Sequence, residues 1–266
     1  MNAFEHLDIT SRFLIGLLIQ LVRYGLVAGI AYYLFYVIKK EQWFFMKIQK
    51  RFPKKTDIQR EVLFSLLTML IFGLVGVLII LMRKMGWTQI YTDFSAHSVA
   101  YFFLSIGIAI FAHDTYFYWT HRMMHHPKLF PYFHKVHHLS HNPSPWAAFA
   151  FHPLEAIVQA AYIPVLVVII PFHPLAMVVF MLWMMVLNVL GHTGYEFIPE
   201  RFHDTWLGRL QNTPTHHNMH HQLNKGNYGL YFNIWDRLMG TNFRNYEDAY
   251  HKNISQKAEE TQKVAY

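Results

Sequence analysis

Histidine residues are concentrated in one part of this 266-residue chain, and their spacing suits metal coordination. The stretch from His113 to His221 holds 16 of the 19 histidines. On a helix, residues three and four apart lie on one face, so each cluster directs its imidazoles toward a common point. Neutral imidazole is a frequent metal ligand, and the clusters therefore predict a metal site. The nine candidate ligands are His121, His125, His134, His137, His138, His192, His217, His220 and His221.

Three further histidines lie beside these clusters but fit the pattern less well. His126 lies off the helical stripe formed by His121 and His125, and it precedes a proline, where a helix usually ends. It remains an alternative ligand to His125. His141 and His216 flank the other clusters out of register, and we expect them to support the site or to lie at the surface.

Several other polar residues are candidates for orienting the imidazoles, because metal-bound histidines usually give their second ring nitrogen a hydrogen-bond partner. Asp114 and Tyr118 lie on the helical stripe of the first cluster. Glu196 follows the lone histidine by one turn and could add an oxygen ligand. His152 and Glu155 flank a helix start, which fits either a structural cap or a buried pair that braces the site.

The kind of metal is limited by the residues available. The chain has no cysteine, which excludes thiolate zinc sites, iron–sulfur clusters and disulfides. Nitrogen-rich sites suit iron, zinc, copper or nickel. Nine ligands exceed the four of a structural zinc site and suit two ions. Redox chemistry at a membrane favours two irons that activate dioxygen, and the spacing alone leaves two zincs open.

The composition predicts an integral membrane protein. Hydrophobic residues make up 53% of the chain and charged residues 15%, well below the usual quarter. A membrane span needs about 20 apolar residues, and it must be helical to satisfy its own backbone. Gln20 and Arg23 interrupt the first apolar run, and Arg23 could reach an interface or face the bundle interior. The apolar runs are Phe13–Ile38, Val62–Met82 and Val99–Ala112, followed by a proline-broken region, Ala156–Leu190, that predicts bent helices or a hairpin.

The distribution of basic residues predicts the orientation in the membrane. The connector Lys39–Arg60 carries eight Lys or Arg, whereas the connector Arg83–Ala96 carries two. Positive connectors stay in the cytoplasm, so the histidine clusters are expected there, with Lys39–Arg60 as an amphipathic stretch on the membrane surface. The net charge is +7, and the basic residues cluster beside apolar runs. This placement favours a membrane over nucleic acid as the partner. A bacterial inner membrane is favoured over the endoplasmic reticulum.

These patterns predict an all-α membrane bundle with a cytoplasmic, histidine-rich cap that holds two metals. Three regions are expected. Residues 1–98 form the membrane-anchoring helices with the basic connector, residues 99–245 form the catalytic region, and residues 246–266 form a polar, loosely held tail.

The histidine motifs, taken together, resemble the fatty acid hydroxylase/sterol desaturase superfamily over roughly residues 103–243. Some of the motifs around the histidines resemble those of sterol methyl oxidases, and others resemble those of alkylglycerol monooxygenases. Some fatty acid hydroxylases have a second histidine four residues after the lone one, at the position that Glu196 occupies here. The matching motifs are Asp114-x-x-x-Tyr118-Trp119-x-His121-Arg122-x-x-His125, His134-x-x-His137-His138, His152-Pro-Leu-Glu155, His192-x-Gly-Tyr-Glu196, His217-x-x-His220-His221, Asn227-Tyr-Gly and Trp235-Asp236-Arg237-Leu238-Met239-Gly240-Thr241.

The resemblance implies a membrane-bound di-iron oxygenase. It makes the nine histidines ligands of two irons, with Asp236 among the supporting residues, and dioxygen the co-substrate. The expected reaction is hydroxylation or desaturation of a C–H bond in a sterol, fatty acyl chain or alkylglycerol-type lipid. Electrons are expected from a separate reductase, ferredoxin or cytochrome. The competing interpretations are a di-zinc hydrolase and a non-catalytic membrane protein that binds metal or lipid.

Overall fold

The chain folds into long apolar helices that carry a cap of short helices. The computed structural model describes residues 6–264, with side chains described as far as Ser255. Within that range it has no β-sheet, only isolated bridges. The α-helices are α1 (Ile9–Tyr33), α2 (Lys55–Lys84), α3 (Val99–Met124), α4 (Phe130–Phe133), α5 (Lys135–His138), α6 (Pro153–Ala160), α7 (Tyr162–Ile169), α8 (Pro174–Gly191), α9 (Glu200–His203), α10 (Trp206–Leu210), α11 (Pro214–Leu223), α12 (Ile234–Leu238) and α13 (Tyr246–Val264).

The long helices confirm the predicted apolar runs and extend them. Within the described part of the chain, four helices are long and apolar enough to cross a membrane: α1, which continues as a π-helical turn over Leu34–Ile38, and α2, α3 and α8. Most of their apolar side chains are exposed on the outside of the bundle, as expected where lipid replaces water. The all-α membrane fold is therefore confirmed.

The proline-broken region forms the bent hairpin that its sequence predicts. Helices α6 and α7 meet at Ala161, and together they are shorter than a full span. The chain then turns at 170–173, and Pro174 begins α8 at its first helical position. Proline suits that position because its missing N–H would have no partner in the first turn. Helix α8 ends at Gly191, which places His192 directly at its C-terminus.

Short loop contacts hold the membrane helices against the cap. The 3₁₀ helix Pro145–Phe149 lies between α1, α2 and α8. The backbone oxygen of Trp146 accepts hydrogen bonds from Tyr24 of α1 and Ser65 of α2, at 2.8 and 3.0 Å. Ser144 donates to the buried carboxylate of Glu61. These contacts fix the position of this 3₁₀ segment relative to the membrane helices.

The basic connector differs from the surface-lying amphipathic stretch predicted for Lys39–Arg60. It has one 3₁₀ turn, Phe44–Met46, and α2 already begins at Lys55. Lys47 is fully buried, and its Nζ donates to the carbonyl of Gly194 at 3.2 Å. Gln49 donates to the carbonyl of His141 at 2.7 Å. The connector therefore packs against the histidine region, and the surface prediction is wrong for these residues.

The predicted loose tail is wrong for its first half. Helix α13 buries Tyr246, Tyr250 and Ile254 against Met219 of α11. The hydroxyl of Tyr250 donates to the carbonyl of Ile198 at 3.0 Å. The tail thus begins as a helix that braces a histidine-bearing element. The remaining polar residues of the predicted tail extend beyond Ser255, where side chains are outside the described part.

Candidate metal centre

The nine predicted histidines come together in two adjacent groups. Potential ligand atoms within each group lie within 4.8 Å of one another. The rings of His138 and His221, one from each group, have centroids 5.0 Å apart, so the two groups lie directly against each other. The five-histidine group comprises His121, His125, His134, His138 and His220, and the four-histidine group comprises His137, His192, His217 and His221.

Four segments deliver these side chains. The C-terminal turn of α3 carries His121, and His125 caps that helix. The short α5 and the residue before it carry the second cluster, and α11 carries the fourth. His192 comes from the end of α8. Spacing of three and four on each helix places the rings on one face, as predicted from sequence.

The inward-facing ring nitrogens have the separations expected of atoms that share an ion. In the five-histidine group, the Nε2 atoms of His121 and His134 are 2.9 Å apart, and those of His138 and His220 are 3.0 Å apart. In the four-histidine group, the Nε2 atoms of His192 and His217 are 3.0 Å apart. Two nitrogens bound to one ion at about 2.1 Å would lie roughly 3.0–3.4 Å apart at ordinary ligand angles. The residues therefore fit metal ions.

The outer nitrogens show why a cation is needed between these rings. Nδ1 of His121 is 2.8 Å from the carbonyl oxygen of Tyr228, and Nδ1 of His220 is 2.7 Å from that of Gly226. A carbonyl only accepts, so each Nδ1 carries the proton and each Nε2 presents a lone pair. Lone pairs facing inward repel one another unless a positive ion lies between them. The tautomers are those of metal-binding imidazole.

One loop supplies three of the outer contacts in the five-histidine group. It runs from Asn224 to Tyr228 directly after α11. Its carbonyls at 224, 226 and 228 accept from His125, His220 and His121 at 3.1, 2.7 and 2.8 Å. Asn224 adopts a left-handed conformation with φ of 54°, which ends α11 and turns the chain back over the site. Sequence reasoning missed this loop, because carbonyl contacts leave no side-chain signature.

His134 has a carboxylate as its outer partner. Its Nδ1 lies 2.6 Å from Oε1 of Glu155, and both side chains are buried. Glu155 is therefore buried against an imidazole of the five-histidine group, but its partner is His134 and not the predicted His152. His152 instead caps α6 by accepting from the amide of Leu154 at 3.3 Å, as in the structural alternative.

The four-histidine group has fewer outer contacts. Nδ1 of His192 donates to the carbonyl of Asn188 at 2.7 Å, one turn back in α8. Nδ1 of His221 has no hydrogen-bond partner among the described residues. His137 has at most a weak contact with the backbone of Ala150. The two groups thus differ in how firmly their ligands are oriented.

Burial keeps these imidazoles neutral. Loss of water lowers the pKa of His192 to about 4 and that of His125 to about 2. The same cause, followed by repulsion from neighbouring imidazoles, holds the pKa of His137 and His138 well below the usual range. Neutral rings are the form that binds metal. The two groups of imidazoles, together called the cage, can therefore bind cations without first releasing protons.

Two carboxylates that were predicted to support the site contact backbone amides and not the histidines of the cage. Asp114 accepts from the backbone amides of Tyr231 and Phe232, at 2.8 and 3.2 Å, and contacts no histidine of the two groups. Asp236 accepts from the amides of Tyr228 and Gly229, at 2.8 and 2.7 Å. Both hold the chain around the loop that follows α11. The prediction that Asp114 orients a histidine directly is wrong.

Tyr118 and Glu196 also lie outside the cage. The Tyr118 hydroxyl is 2.9 Å from that of Thr241, so it ties α3 to the segment after α12. Glu196 is fully buried and accepts from the amides of Thr215 and Ile198, at 2.9 and 3.0 Å. Its carboxylate caps the start of α11 and is not directed at an ion site. The suggestion of an oxygen ligand there is wrong.

The three flanking histidines stay outside both groups. His126 is exposed, and its Nδ1 accepts from the amide of Lys128 at 3.3 Å. His141 lies behind the four-histidine group, 3.4 Å from the carbonyl of His221. His216 is buried against Asn242 at 3.2 Å. The structure thus places His125, and not His126, in the five-histidine group, and it leaves His141 and His216 at the periphery of the site.

An apolar cavity of about 260 Å³ lies in the bundle beside the cage. Among its walls are Phe117, whose ring packs on His121 at 4.9 Å, and Phe151, whose ring packs on His137 at 5.3 Å. Asn188, which accepts from His192, also lines it. The cavity therefore reaches residues that touch both groups, and its apolar lining suits a lipid.

Helices long enough to span a membrane, two adjacent histidine groups that could hold metal ions and an adjoining apolar cavity define a class of histidine-rich membrane protein. Comparison with protein families agrees with this class: residues 106–241 match the fatty acid hydroxylase family. That match covers more than half of the chain, and the chain belongs to this family. No solved structure matches it significantly.

Relatives with known names include sterol enzymes. A Delta(7)-sterol 5(6)-desaturase from Gibberella zeae is 29% identical over 221 residues, covering 81% of this chain and 67% of the relative. The lathosterol oxidase of Homo sapiens is 28% identical over 193 residues, covering 72% and 62%. That of Rattus norvegicus is 28% identical over 189 residues, covering 70% and 62%. The chain thus spans about two thirds or less of these relatives.

Proposed function

We propose that this protein is a membrane-bound oxidoreductase that uses two irons and dioxygen to hydroxylate or desaturate a lipid. The observation that carries the proposal is the paired cage of nine neutral imidazoles beside an apolar cavity. Family membership and the sterol desaturases among the relatives support it. The substrate class comprises sterols, fatty acyl chains and alkylglycerol-type lipids.

The proposed reaction balances with an external source of electrons. Hydroxylation consumes the lipid, dioxygen, two electrons and two protons, and yields the alcohol and one water. Desaturation uses the same oxidant and electrons, removes two hydrogens from the lipid, and yields two waters. Two irons bound in the cage would supply the oxidising power for an unactivated C–H bond. The electrons come from a separate reductase, ferredoxin or cytochrome.

The protein's own residues position the reactants and exclude water. The nine histidines are the proposed metal ligands, five for one ion and four for the other. Phe117 and Phe151 line the cavity and pack on His121 and His137, so the cavity is apolar where it adjoins the imidazoles. An apolar wall keeps water from the reacting carbon, which protects the oxidant from side reactions. The site lies on the cytoplasmic side of the membrane in this proposal, following the basic connector.

The proposed function is tested by lipid mass spectrometry of cells with and without the gene. The expected product is a lipid that has gained one oxygen or lost two hydrogens. Purified protein loaded with iron should form the same product only with both dioxygen and a reductant. Cleavage of a lipid with uptake of water, independent of dioxygen and reductant, would indicate the di-zinc hydrolase instead. Full iron loading with no product from any tested lipid would favour a binding protein.

A further inference from the structure

One charged side chain faces the apolar cavity in the middle of the membrane bundle. Arg23 lies near the centre of the helix Ile9–Ile38, about 21 Å from either end at 1.5 Å per residue. Its side chain lines the cavity wall in the middle of the helix and not at either end. Arg23 lines the cavity together with Gln20, one turn earlier on the same face of α1.

The polar atoms of this pair lack partners. Within the described residues, Arg23 Nε and Gln20 Oε1 are buried without a hydrogen bond. No Asp or Glu is among the residues that line the cavity. Arginine stays protonated in proteins, and an unpaired charge in an apolar setting is costly unless a ligand satisfies it. A charged residue inside a membrane bundle therefore marks a functional position.

The pair lies far from the cage along α1. Tyr36, thirteen residues after Arg23, donates to the carbonyl of Thr193, the residue after His192, at 2.8 Å. Thirteen helical residues rise by about 20 Å. Gln20 lies about one further turn away. Because the side chains extend along the bundle, a group bound by the pair would be on the order of 10–20 Å from the histidines.

We propose that Arg23 and Gln20 bind the oxygen-bearing end of the lipid, a hydroxyl or carboxylate, and so set which carbon meets the cage. This inference rests on the proposed function for the same site. Arg23 donates to the lipid oxygen, and Gln20 accepts from a hydroxyl or turns its amide to donate to a carboxylate. Because the cage lies at least about 10 Å away, the oxidised carbon is remote from that oxygen.

Binding is measured first, without turnover. This experiment tests the role of Arg23 and Gln20 even if the proposed oxidoreductase function is wrong. The zinc-loaded protein in detergent is titrated with hexadecanoate, hexadecanol and hexadecane. The oxygen-bearing probes should bind more tightly than hexadecane. Arg23→Met should weaken them by about 10- to 100-fold, the worth of a charge-assisted hydrogen bond, and leave hexadecane unchanged. Arg23→Lys should restore much of the preference for hexadecanoate.

Two control variants make the result specific. Val22→Met changes a neighbouring residue on the exposed outer side of α1 and should leave all three affinities unchanged. Gln159, on α6, lines the same cavity and has an unpartnered Nε2. If Gln159→Met rather than Arg23→Met removed the preference for oxygen, the assignment to α1 would be overturned. Equal binding of all three probes by the unaltered protein would overturn it as well.

The position of oxidation gives a second, independent readout. With iron, dioxygen and reductant, the unaltered protein should oxidise a lipid at a carbon remote from its oxygen. The Arg23→Met variant should keep its metal content and give a mixture of positions. A single unchanged position in that variant would contradict the inference. If hexadecanoate or hexadecanol dominates in binding, that choice identifies the lipid end as an acid or an alcohol.

Discussion

The two histidine groups differ in the hydrogen-bond partners of their outer ring nitrogens. In the five-histidine group, four outer nitrogens have an oxygen partner, three of them carbonyls of the loop at 224–228 and one the carboxylate of Glu155. In the four-histidine group, His192 alone has a strong outer hydrogen bond. Outer partners fix the tautomer and raise the basicity of a ligand. The five-histidine group should therefore hold its ion more tightly.

The two groups also differ in what positions them. The five-histidine group depends on a loop held by Asp236, whereas His192 donates to its own helix, α8. A helix that is buried in the bundle changes little when one contact is lost. A loop fixed by a few hydrogen bonds changes more. Changes to the loop should thus affect one ion and spare the other.

The largest effect should come from removing a ligand of either group. His220→Ala and His137→Ala each take one imidazole from a different group, so each should lower bound iron from two per chain towards one. Turnover should fall below detection in both, because the chemistry needs the pair. Metal content is measured by elemental mass spectrometry. His126→Ala, at an exposed position outside both groups, serves as the control and should keep both ions.

A smaller effect should follow from weakening one outer partner. Glu155→Gln removes the negative charge behind His134 and should weaken binding of the ion in the five-histidine group by about 10- to 100-fold. Competition with a chelator measures that affinity. Glu61→Gln changes another buried carboxylate, which bonds Ser144 and no histidine. Equal loss of metal in both variants would mean that Glu155 acts only through stability.

A smaller effect still is expected at the loop. Asp236→Asn replaces one of the two oxygens that hold the amides of Tyr228 and Gly229. The three loop carbonyls should become more mobile, and the affinity of the five-histidine group should fall by less than in the Glu155 variant. The affinity of the four-histidine group should not change. Loss of both ions together would contradict the difference drawn between the groups.

A separate expectation concerns the pH dependence of the metal-free protein. Burial lowers the pKa of His192 to about 4, while an unfolded histidine titrates near 6.5. As the pH falls below about 6.5, the unfolded chain takes up a proton that the folded chain does not, so the free energy of unfolding decreases. The loss from His192 levels off near pH 4. His125, with a pKa lowered to about 2, should continue to lose stability below that point.

Thermal melts between pH 8 and 4 test this expectation. Each such histidine contributes up to about 1.4 kcal/mol per pH unit within its window. His192→Gln should flatten the curve between pH 6.5 and 4. A melting temperature that rises on acidification, or that is flat across this range, would show that the imidazoles are already protonated in the fold.

The sequence was enough to predict the helical membrane fold and the nine clustered histidines. Both leave a strong local signal, because apolar length marks a span and spacing of three and four marks a helix face. His192 has no such spacing, and its place in the cage depends on where α8 ends. That end could be located from the glycines that follow the apolar run.

The sequence was less informative about residues that act through the backbone. Asp114 lies on the correct helical face but accepts from amides of a distant loop, which helix periodicity cannot show. Glu196 was placed near the cage by its spacing, yet it caps α11. Lys47 was counted among surface charges, although it is buried and donates to the carbonyl of Gly194. Each error concerns a long-range contact that only the packed chain defines.

The most direct test of the paired cage is metal analysis with X-ray absorption spectroscopy on the purified protein. Two irons per chain are expected, with nitrogen neighbours typical of imidazole and no sulfur. The His137→Ala variant should retain the iron of the five-histidine group, and the His220→Ala variant should retain that of the other. One ion per chain in the unaltered protein, or two ions retained by either variant, would contradict the assignment of nine histidines to two metals.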